Sequence, residues 1–430
     1  MGKDSSRKLQ RAIEPTIVTK HTIFIIGSVW VEPNSSAAGG RMLQLIEFFL
    51  SQKWKVFFGT TASKNENSID LEALGVQEFS LELNDSSFDE LIKKLHPTLV
   101  LFDRFMTEEQ FGWRVAEGCP NAMRILDTED LHCLRKTRQE AVKQDVDFQA
   151  DQLLNSDITK REIAAVYRCD LSLIISTYEM QLLRETFLID DSLLCHLPFF
   201  LNPISDETQQ NRKSFEDRQH FVSIGNFFHA PNVDATLQLK HHIWPLVRKQ
   251  LPNAQLHVYG AYPTQQVLQL NNEKEGFLVH GFAKDAKEVI GNSRVLLAPL
   301  RFGAGIKGKL TDAMECGTPS VTTEIGAEGM HEDLPWNGFV ESEWSQFAVK
   351  AVELYSQKDA WLRAQQNGID IINTLYLKKD LETRLLDAID SRFKDLTQLR
   401  TKNFVGQMLQ HHTLKSTKYL SKWIEEKNKS

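Results

Sequence analysis

The sequence predicts an α/β protein with two Rossmann-like domains that face each other across a cleft, followed by C-terminal helices. Short apolar, β-branched runs alternate with longer segments of helical periodicity, a pattern typical of parallel sheets covered by helices. The alternation stops at a polar segment, residues 202–219, and then starts again. A chain of 430 residues also exceeds what one ordinary hydrophobic core accommodates.

The first half of the chain contains six predicted strands. Each is a run rich in Val, Ile, Leu, Phe or Thr that ends at polar or glycine residues. They are the segments 22–28, 55–60, 77–83, 98–103, 123–129 and 171–177. Residues 40–51 place Met42, Leu45, Ile46 and Phe49 on one face, which predicts an amphipathic helix. We therefore predict an N-terminal domain over residues 21–201, after a polar leader of residues 1–20.

The second half repeats the pattern after a predicted linker. Residues 202–219 are polar, charged and poor in large apolar side chains, as linkers usually are. Five further strands are predicted, at 220–226, 255–261, 276–282, 294–300 and 320–323. Only helices are predicted beyond Ser342. This organisation gives a C-terminal domain over residues 220–375 and a helical tail over 376–430, which can cap its own domain or cross back to the first.

Composition and charge exclude several functional classes. Hydrophobic residues at 41% and charged residues at 25% are typical of an ordinary globular protein. The formal net charge of -7 and the pI near 6.0 provide no broad basic surface, so no nucleic-acid partner is expected. The adjacent pairs His241-His242 and His411-His412 lack the i, i+4 spacing of a helical metal site. We expect no metal and no cofactor.

The cysteines and the N-terminus indicate the compartment. Five scattered cysteines without a C-x-x-C pair favour a reducing, cytoplasmic setting. No apolar run reaches the roughly 20 residues needed to span a bilayer. The first six residues, MGKDSS, fit the N-myristoylation pattern, and Arg7, Lys8 and Arg11 follow. We expect a frayed polar leader here, the alternative being myristoylation of Gly2 with peripheral contact with the cytoplasmic membrane face.

Residues 301–310, RFGAGIKGKL, nearly satisfy two phosphate-binding fingerprints. Gly303, Gly305 and Gly308 spell the G-x-G-x-x-G of a dinucleotide-binding turn, and residues 303–309 spell the G-x-x-x-x-G-K of a P-loop. The P-loop interpretation fails because Leu310 stands where a hydroxyl side chain should hold magnesium. The dinucleotide fingerprint belongs to the first βα turn of a domain, whereas this run follows the fourth predicted strand.

The position of this glycine run still predicts an anion site. It lies between a predicted strand and a helix, where backbone N–H groups and a helix N-terminus meet. Gly303 and Gly305 allow close approach of the backbone to a phosphate, and Lys307 adds a charge. Glu324 and Glu328 lie at the spacing of a ribose ligand in a dinucleotide site. Glycines that merely ease helix-to-sheet packing are the other alternative.

Several segments together resemble a known family. The segments are FVSIGNFFHAPNVDA, LHVYGAYP, VHGFAKD and LLAPLRFGAGIKGKLTDAMECGTPSVTTEIGAEGM, and more diffusely VEPNSSAAGGRMLQLIEFFLSQKWKVFFGT and DLSLIISTYEMQLL. This set is similar to family 4 glycosyltransferases, also called group 1, which have the GT-B architecture. The resemblance implies a nucleotide-diphosphate sugar held in the cleft, and transfer of its sugar to a hydroxyl of a glycan, lipid or other acceptor, with retained anomeric configuration.

The resemblance also implies roles for individual residues. It places the diphosphate against Gly303, Gly305, Ile306 and Lys307, and Asp312 at the ribose hydroxyls, with Lys307 stabilising the leaving group. Two positions depart from the family pattern. Ala304 replaces an acidic residue that usually contacts the donor sugar in the family, and Asn226 stands where arginine is common. Further candidates for the donor site in the C-terminal domain are Gly225, Asn226, His229 and Arg301.

The N-terminal domain supplies the other side of the predicted cleft. Gly39 and Gly40 open the first helix, where their amides can face the donor or form a simple tight turn. Asp127, Asp130 and His132 cluster beyond the carboxyl end of a strand. We expect a catalytic base or a sugar-hydroxyl partner to come from these three residues.

Two other functional classes share this architecture. An isomerase or phosphorylase would bind a nucleotide sugar or sugar phosphate without transfer to a separate acceptor. A noncatalytic nucleotide-sugar-binding protein is the other alternative, because Ala304 removes an acidic residue from the expected site.

Overall fold

Two parallel sheets, one in each half of the chain, confirm the predicted fold. The structure is a computed structural model that describes residues 21–429. The leader and its myristoylation pattern lie outside the described residues. The first sheet has seven strands in the order β3-β2-β1-β4-β5-β6-β7, and the second has six in the order β10-β9-β8-β11-β12-β13. In both sheets the strand order reverses beside the first strand, so the carboxyl ends of the central strands border a crevice.

The central strands of the first sheet are buried on both faces. All five residues of β4 are buried, which explains its continuous apolar run LVLFD. The seven strands are β1 (Thr22–Gly27), β2 (Lys55–Thr60), β3 (Gln77–Ser80), β4 (Leu99–Asp103), β5 (Met123–Asp127), β6 (Leu171–Ile174) and β7 (Leu194–His196). Seven helices accompany them: α1 (Ala37–Ser51), α2 (Ser87–Leu95), α3 (Arg104–Gly118), α4 (His132–Gln144), α5 (Ala150–Asn155), α6 (Asp157–Arg168) and α7 (Thr177–Glu185).

The second sheet is smaller and follows the short helix α8 (Asp206–Gln210). Its strands are β8 (Gln219–Ile224), β9 (Leu256–Tyr259), β10 (Phe277–Gly281), β11 (Ser293–Ala298), β12 (Ser320–Thr322) and β13 (Gly338–Val340). Its helices are α9 (Ala230–Gln238), α10 (Trp244–Gln250), α11 (Gln265–Leu268), α12 (Ala286–Asn292), α13 (Gly308–Cys316), α14 (Glu324–Ala327), α15 (Trp344–Ser356) and α16 (Lys358–Leu375). A π-helical turn, residues 239–243, joins α9 to α10.

The strands differ from the prediction in number and at their ends. The three-residue strands β7 and β13 were not predicted, because three residues carry no readable periodicity and each strand is defined by pairing with its neighbour. The predicted strand 123–129 ends at Asp127, because Glu129 has a φ of 61° that turns the chain out of the sheet. The remaining strands were predicted to within three residues at each end.

The chain passes between the two domains at two places that lie side by side. Leu201 donates its N–H to Tyr376 O at 2.9 Å, and its carbonyl accepts from Lys378 N at 2.8 Å. In the segment predicted as a linker, Arg218 is buried and donates to Thr318 Oγ1 at 2.6 Å. The chain therefore leaves the N-terminal domain at Leu201, next to residues 376–378, where it returns to that domain.

The C-terminal tail crosses back to the N-terminal domain, which settles the choice left open by the sequence. It consists of α17 (Lys378–Lys394), α18 (Leu396–Lys402) and α19 (Phe404–Lys429). Leu381, Leu385 and Ile389 of α17 are buried in the N-terminal core beside β1 and α1. Helix α19 packs against α3 and α6.

Neither a membrane-crossing helix nor a metal-binding cluster is found in residues 21–429. No helix there combines the length and the apolarity that crossing a bilayer requires. Nor do three histidine, cysteine or carboxylate side chains within that range come together as a metal site would need.

Candidate functional site

The loops at the carboxyl ends of the two sheets meet in a closed cleft. From the C-terminal domain come the loops after β8 and β11, and from the N-terminal domain those after β1 and β5. Asn226 donates its side-chain amide to Ser35 O at 3.1 Å, and Arg138 donates to Gly303 O at 3.0 Å. These bonds hold the domains together on both sides of the cleft.

The N-termini of α1 and α13 touch at this cleft. A Cβ built on Gly308, the first residue of α13, would lie 2.6 Å from the Cβ of Ala37, the first residue of α1. Ser36 caps α1 by accepting the N–H of Gly39 at 3.0 Å. Within residues 21–429, no acceptor bonds the first two amides of either helix, those of residues 37, 38, 308 and 309. Unbonded amides and two helix dipoles directed at one point favour an anion.

Lys309 adds a positive charge beside these amides. The side chain is half-buried, and its ammonium group donates at 2.7 Å to Oδ1 of Asn232 in the first turn of α9. No carboxylate in the described part of the chain pairs with it. Burial lowers the pKa of Lys309 to about 7. An anionic ligand would supply the missing counterion and restore the charged form.

Basic and acidic side chains of the N-terminal domain lie opposite His229. Burial lowers the pKa of His229, and Arg135 and Arg104 lower it further. Asp130 accepts from Arg135 Nε at 2.6 Å and lies 3.4 Å from His132 Nε2. His229, Asp130 and His132 are thus brought to the same cleft, as predicted from their positions after strands.

Asp130 and His132 have distinct charge states at neutral pH. Burial alone would raise the pKa of Asp130, but Arg135, His132 and Arg104 outweigh it and lower the pKa. Burial lowers the pKa of His132 to about 4 despite the opposing effect of Asp130. At pH 7 the pair is therefore an ionised carboxylate beside a neutral imidazole, which can donate or accept one hydrogen bond at each ring nitrogen.

The glycine loop corrects part of the prediction. The N–H of Gly305 donates to Glu179 Oε1 at 2.9 Å, and the ammonium of Lys307 donates back to Gly305 O at 2.9 Å. Both groups are buried, and burial lowers the pKa of Lys307 to about 8. The side chain of Ile306 packs in the C-terminal core. Of the groups assigned to a diphosphate, the Gly305 amide therefore bonds the N-terminal domain and the Lys307 ammonium bonds its own loop.

Asp127 and Arg301 need a similar correction. The carboxylate of Asp127 is fully buried and accepts from Arg41 Nε at 3.0 Å and Nη2 at 2.8 Å. It cannot reach a substrate, so it is not a candidate base. Arg301 lies at the surface, where its Nε donates to Asp234 Oδ2 at 2.9 Å. Its charge is already balanced by that carboxylate.

The other predicted glycines have separate structural reasons. A Cβ on Gly39 would lie 2.2 Å from Glu32 O, so this position needs glycine for a close backbone approach. Gly225 packs against the side chain of Asn232, which orients the amide that binds Lys309. A Cβ on Gly40 would meet no atom within 4 Å. Of these three, Gly40 is the one with open space beside it.

Asp312 is an acceptor without a hydrogen-bond donor among the described residues. It lies one turn into α13 and is half-buried. Burial raises its pKa to about 7, against the lowering effect of Lys287. Two carboxylate oxygens at this depth suit the two hydroxyls of a ribose ring.

Glu324 and Glu328, the ribose ligands of the dinucleotide interpretation, do not lie at the N-termini of α1 and α13. Glu328 is bonded by both terminal nitrogens of Arg138, at 2.8 and 2.7 Å, across the domain interface. Glu324 and Glu328 line a separate cavity of about 350 Å³ beside Tyr178, away from the helix N-termini. Neither glutamate faces the candidate anion site.

Sequence reasoning missed Lys309, which lies beside the helix N-termini, and the groups that bond the glycine loop. The signal for Lys309 was its position in the first turn of the helix that follows the glycine run. Arg138, Arg135 and Glu179 come from the other domain, and no local pattern connects them to that loop. For Asn232 the sequence left open an approach to the phosphates or the sugar and a helix-capping role.

Comparison with known proteins agrees with this architecture. Residues 218–357 match the family described as glycosyl transferases, group 1. No curated protein matches the chain. Three solved structures show the same fold. A variant of Staphylococcus aureus TarM, in complex with fondaparinux, alpha-GlcNAc-glycerol and UDP, has a TM-score of 0.64 at 10% identity, over 86% of this chain and 99% of that one.

The other two structures are similarly distant in sequence. Sucrose-phosphate synthase from Thermosynechococcus elongatus has a TM-score of 0.66 at 15% identity, over 87% of this chain and 100% of that one. Anabaena HepE, in complex with UDP and glucose, has a TM-score of 0.57 at 13% identity, over 86% and 100%. The chain therefore has a two-domain GT-B fold, in which residues 218–357 match the group 1 glycosyl transferase model.

Proposed function

We propose that this protein transfers a sugar from a nucleotide-diphosphate sugar to an acceptor hydroxyl, with retention of the anomeric configuration. One observation carries the proposal: the touching N-termini of α1 and α13, with four unbonded amides and the unpaired ammonium of Lys309. This arrangement suits a diphosphate. Asp312, on the same helix, would bind the ribose hydroxyls.

The same groups would assist the departure of the sugar. Negative charge grows on the diphosphate as the glycosidic bond breaks, and fixed amides and Lys309 stabilise that charge without reorganisation. The bonds between Asn226 and Ser35, and between Arg138 and Glu328, would keep water out of the closed cleft. Because protein groups supply the positive charge, we propose that no metal ion is required.

The N-terminal side of the cleft would orient the sugars. Neutral His132, positioned by Asp130, would hydrogen-bond a sugar hydroxyl of the donor or the acceptor. His229 and Gly40 lie on the same cleft and would contact the donor. The acceptor is proposed as a glycan, lipid or other hydroxyl compound, since UDP-bound TarM was solved with a glycosylated glycerol. All five cysteines are free, which supports a cytoplasmic location.

A donor screen followed by product analysis tests the proposal. UDP and UDP-sugars should be tried first, because solved relatives bind UDP, then GDP compounds, with NAD as the negative control. A bound donor should raise the melting temperature. Proton NMR of the product then reports the anomeric configuration, with and without EDTA. An inverted product, or stabilisation by NAD but by no nucleotide sugar, would refute the proposal.

A noncatalytic nucleotide-sugar-binding role is the second candidate. Ala304 packs against the N-terminal core, so no acidic side chain reaches the cleft from this position. Such a protein would bind the donor but consume none with any acceptor. An isomerase or phosphorylase would instead convert labelled donor without labelling an acceptor.

Asp312→Ala should weaken UDP binding by about 10- to 150-fold. The reason is the loss of hydrogen bonds from ribose hydroxyls to a charged acceptor, worth about 1.5 to 3 kcal/mol. Calorimetric titration with UDP and with inorganic pyrophosphate, which lacks ribose, separates the two contacts. Pyrophosphate affinity should stay unchanged in this variant. Glu315→Ala, one turn further along α13, is the matched control, and equal losses in both variants would contradict the ribose role.

Gly308→Ala should lower kcat/KM by about 5- to 150-fold. Its methyl group would overlap Ala37 and force the two helix N-termini apart, and such overpacking costs about 1 to 3 kcal/mol. Gly291→Ala is the control, because its Cβ would meet only Cys316 Cβ at 3.9 Å. Steady-state assays on both variants check the prediction. Unchanged kinetics for Gly308→Ala would show that the contact between the helices is not needed.

A further inference from the structure

The last helix, α19, has its polar face inward. Gly406 and Ser421 are buried against the N-terminal domain, and Gln410 is half-buried there. Gln410 donates to Arg168 O at 3.0 Å, and Ser421 Oγ accepts from Arg114 Nη2 at 3.1 Å. A Cβ on Gly406 would lie 2.2 Å from Tyr167 O, so the helix approaches α6 closely. Hydrogen bonds and small residues therefore contribute to the attachment of α19 to the domain.

The apolar side chains of α19 point outward instead. A surface helix normally buries its apolar stripe and exposes its polar one. Here six large apolar residues are exposed, namely Phe404 at 65%, Val405 at 41%, Met408 at 45%, Tyr419 at 65%, Leu420 at 58% and Trp423 at 60%. They recur at spacings of one, three and four residues at each end of the helix, so they share one side of it. A row of this size on a helix marks an interaction surface.

The charge of α19 is opposite in sign to that of the whole protein. Residues 404–429 contain five lysines and two glutamates, a formal charge of +3, whereas the chain carries -7. Lys415, Lys422 and Glu426 are exposed on the same side as the apolar row, and Lys415 also borders Trp113 and Glu117 of α3. A partner for this surface therefore combines an apolar interior with a negative surface.

We propose that the outward face of α19 docks on an anionic lipid membrane surface, with the helix lying in the plane of the interface. Tryptophan and tyrosine rings favour the headgroup level, where one end is apolar and the other hydrated. Lysine side chains reach back to anionic headgroups while their stems lie along the acyl region. A second copy of the chain fits less well, because a two-fold contact would bring the exposed lysines of two copies together.

Vesicle co-sedimentation of the full chain, produced without an acyl group, tests this docking. We expect binding to vesicles of phosphatidylcholine with 30% phosphatidylserine to be at least tenfold stronger than to pure phosphatidylcholine. The variant Tyr419→Ser/Leu420→Ser/Trp423→Ser should lose at least tenfold in affinity, as should Lys415→Glu/Lys422→Glu. Added salt should weaken wild-type binding.

Matched controls exclude a general change in surface character. Leu246→Ser/Val349→Ser/Leu362→Ser removes three exposed apolar residues from the C-terminal domain, and Lys249→Glu/Lys274→Glu reverses two exposed lysines there. Both should bind vesicles like the wild type, and circular dichroism should show all variants folded. Absence of vesicle binding, equal binding to both lipid mixtures, or retained binding by the α19 variants would overturn the proposal. A wild-type protein that self-associates but does not bind vesicles would also overturn the proposal, if the apolar α19 variant abolishes that self-association.

Discussion

Lys309→Ala should lower kcat/KM by about 100- to 1,000-fold. The variant removes a fixed positive charge from the point where the diphosphate leaves, a loss worth about 2.7 to 4 kcal/mol of barrier. The half-buried ammonium has Asn232 as its hydrogen-bond acceptor and no carboxylate partner in the described chain, so its charge is available to the ligand. Steady-state kinetics with the identified donor, and calorimetry with UDP and pyrophosphate, measure the loss. Both ligands should weaken, unlike in Asp312→Ala.

Lys307→Ala is the matched control for this prediction. The two lysines are two residues apart, but Lys307 bonds the carbonyl of Gly305 rather than facing the cleft. We expect its removal to change kcat/KM by less than about tenfold. If Lys307→Ala costs more than Lys309→Ala, the original assignment from sequence is right and the one from geometry is wrong.

The pH profile gives an independent readout of Lys309. Its pKa near 7 in the free protein means that the charged form is lost as the pH rises above 7. Because only the charged form attracts the diphosphate, donor affinity should fall with increasing pH, by up to about tenfold per unit. Lys309→Arg keeps its charge and should flatten this dependence. An unchanged slope in Lys309→Arg would assign the titration to another group.

Asp127→Ala should destabilise the N-terminal domain by about 3 to 5 kcal/mol. The substitution leaves the guanidinium of Arg41, which is 1% exposed, as a buried charge without its carboxylate. At about 2 to 4 °C per kcal/mol, the melting temperature should fall by roughly 6 to 20 °C. Differential scanning calorimetry measures the shift. Asp359→Ala, at an exposed position on α16, should leave the melting temperature unchanged.

A double variant separates the structural role of Asp127 from a catalytic one. Arg41→Met/Asp127→Leu removes both charges and should recover most of the lost stability, because two apolar side chains need no counterion. If Asp127→Ala melts within 2 °C of the wild type but loses turnover by a hundredfold, Asp127 acts in catalysis. That result would contradict its assignment as the buried partner of Arg41.

The sequence predicted an anion site after β11 and assigned its charge to Lys307, whereas the geometry favours Lys309. The prediction that phosphate binds where β11 meets α13 depends only on local features, namely a strand, a glycine run and a helix start. Which side chain faces the cleft depends on the backbone where α13 begins, because Lys307 is the extended N-cap residue and Lys309 lies in the first helical turn. Glu179 and Arg138, more than 100 residues away in sequence, bond the loop before this helix.

For α19, too, the sequence does not determine which side chains are exposed. Its composition, aromatic and basic with few acidic residues, is visible in the sequence. Whether the apolar side is buried or exposed depends on which face meets α3 and α6. The hydrogen bonds of Gln410 and Ser421 decide this, and their partners Arg168 and Arg114 lie in the N-terminal domain.

The sequence by itself determined the two parallel sheets, the succession of most strands and helices, and the turn at which an anion is expected, because each depends on the periodicity and chemistry of neighbouring residues. Tertiary structure alone decided that Lys309 rather than Lys307 faces the cleft, that Asp127 neutralises Arg41, and that the tail returns to the first domain. These outcomes depend on burial and on bonds between distant residues, since a charged group acts on a ligand only where no nearer protein group already balances it.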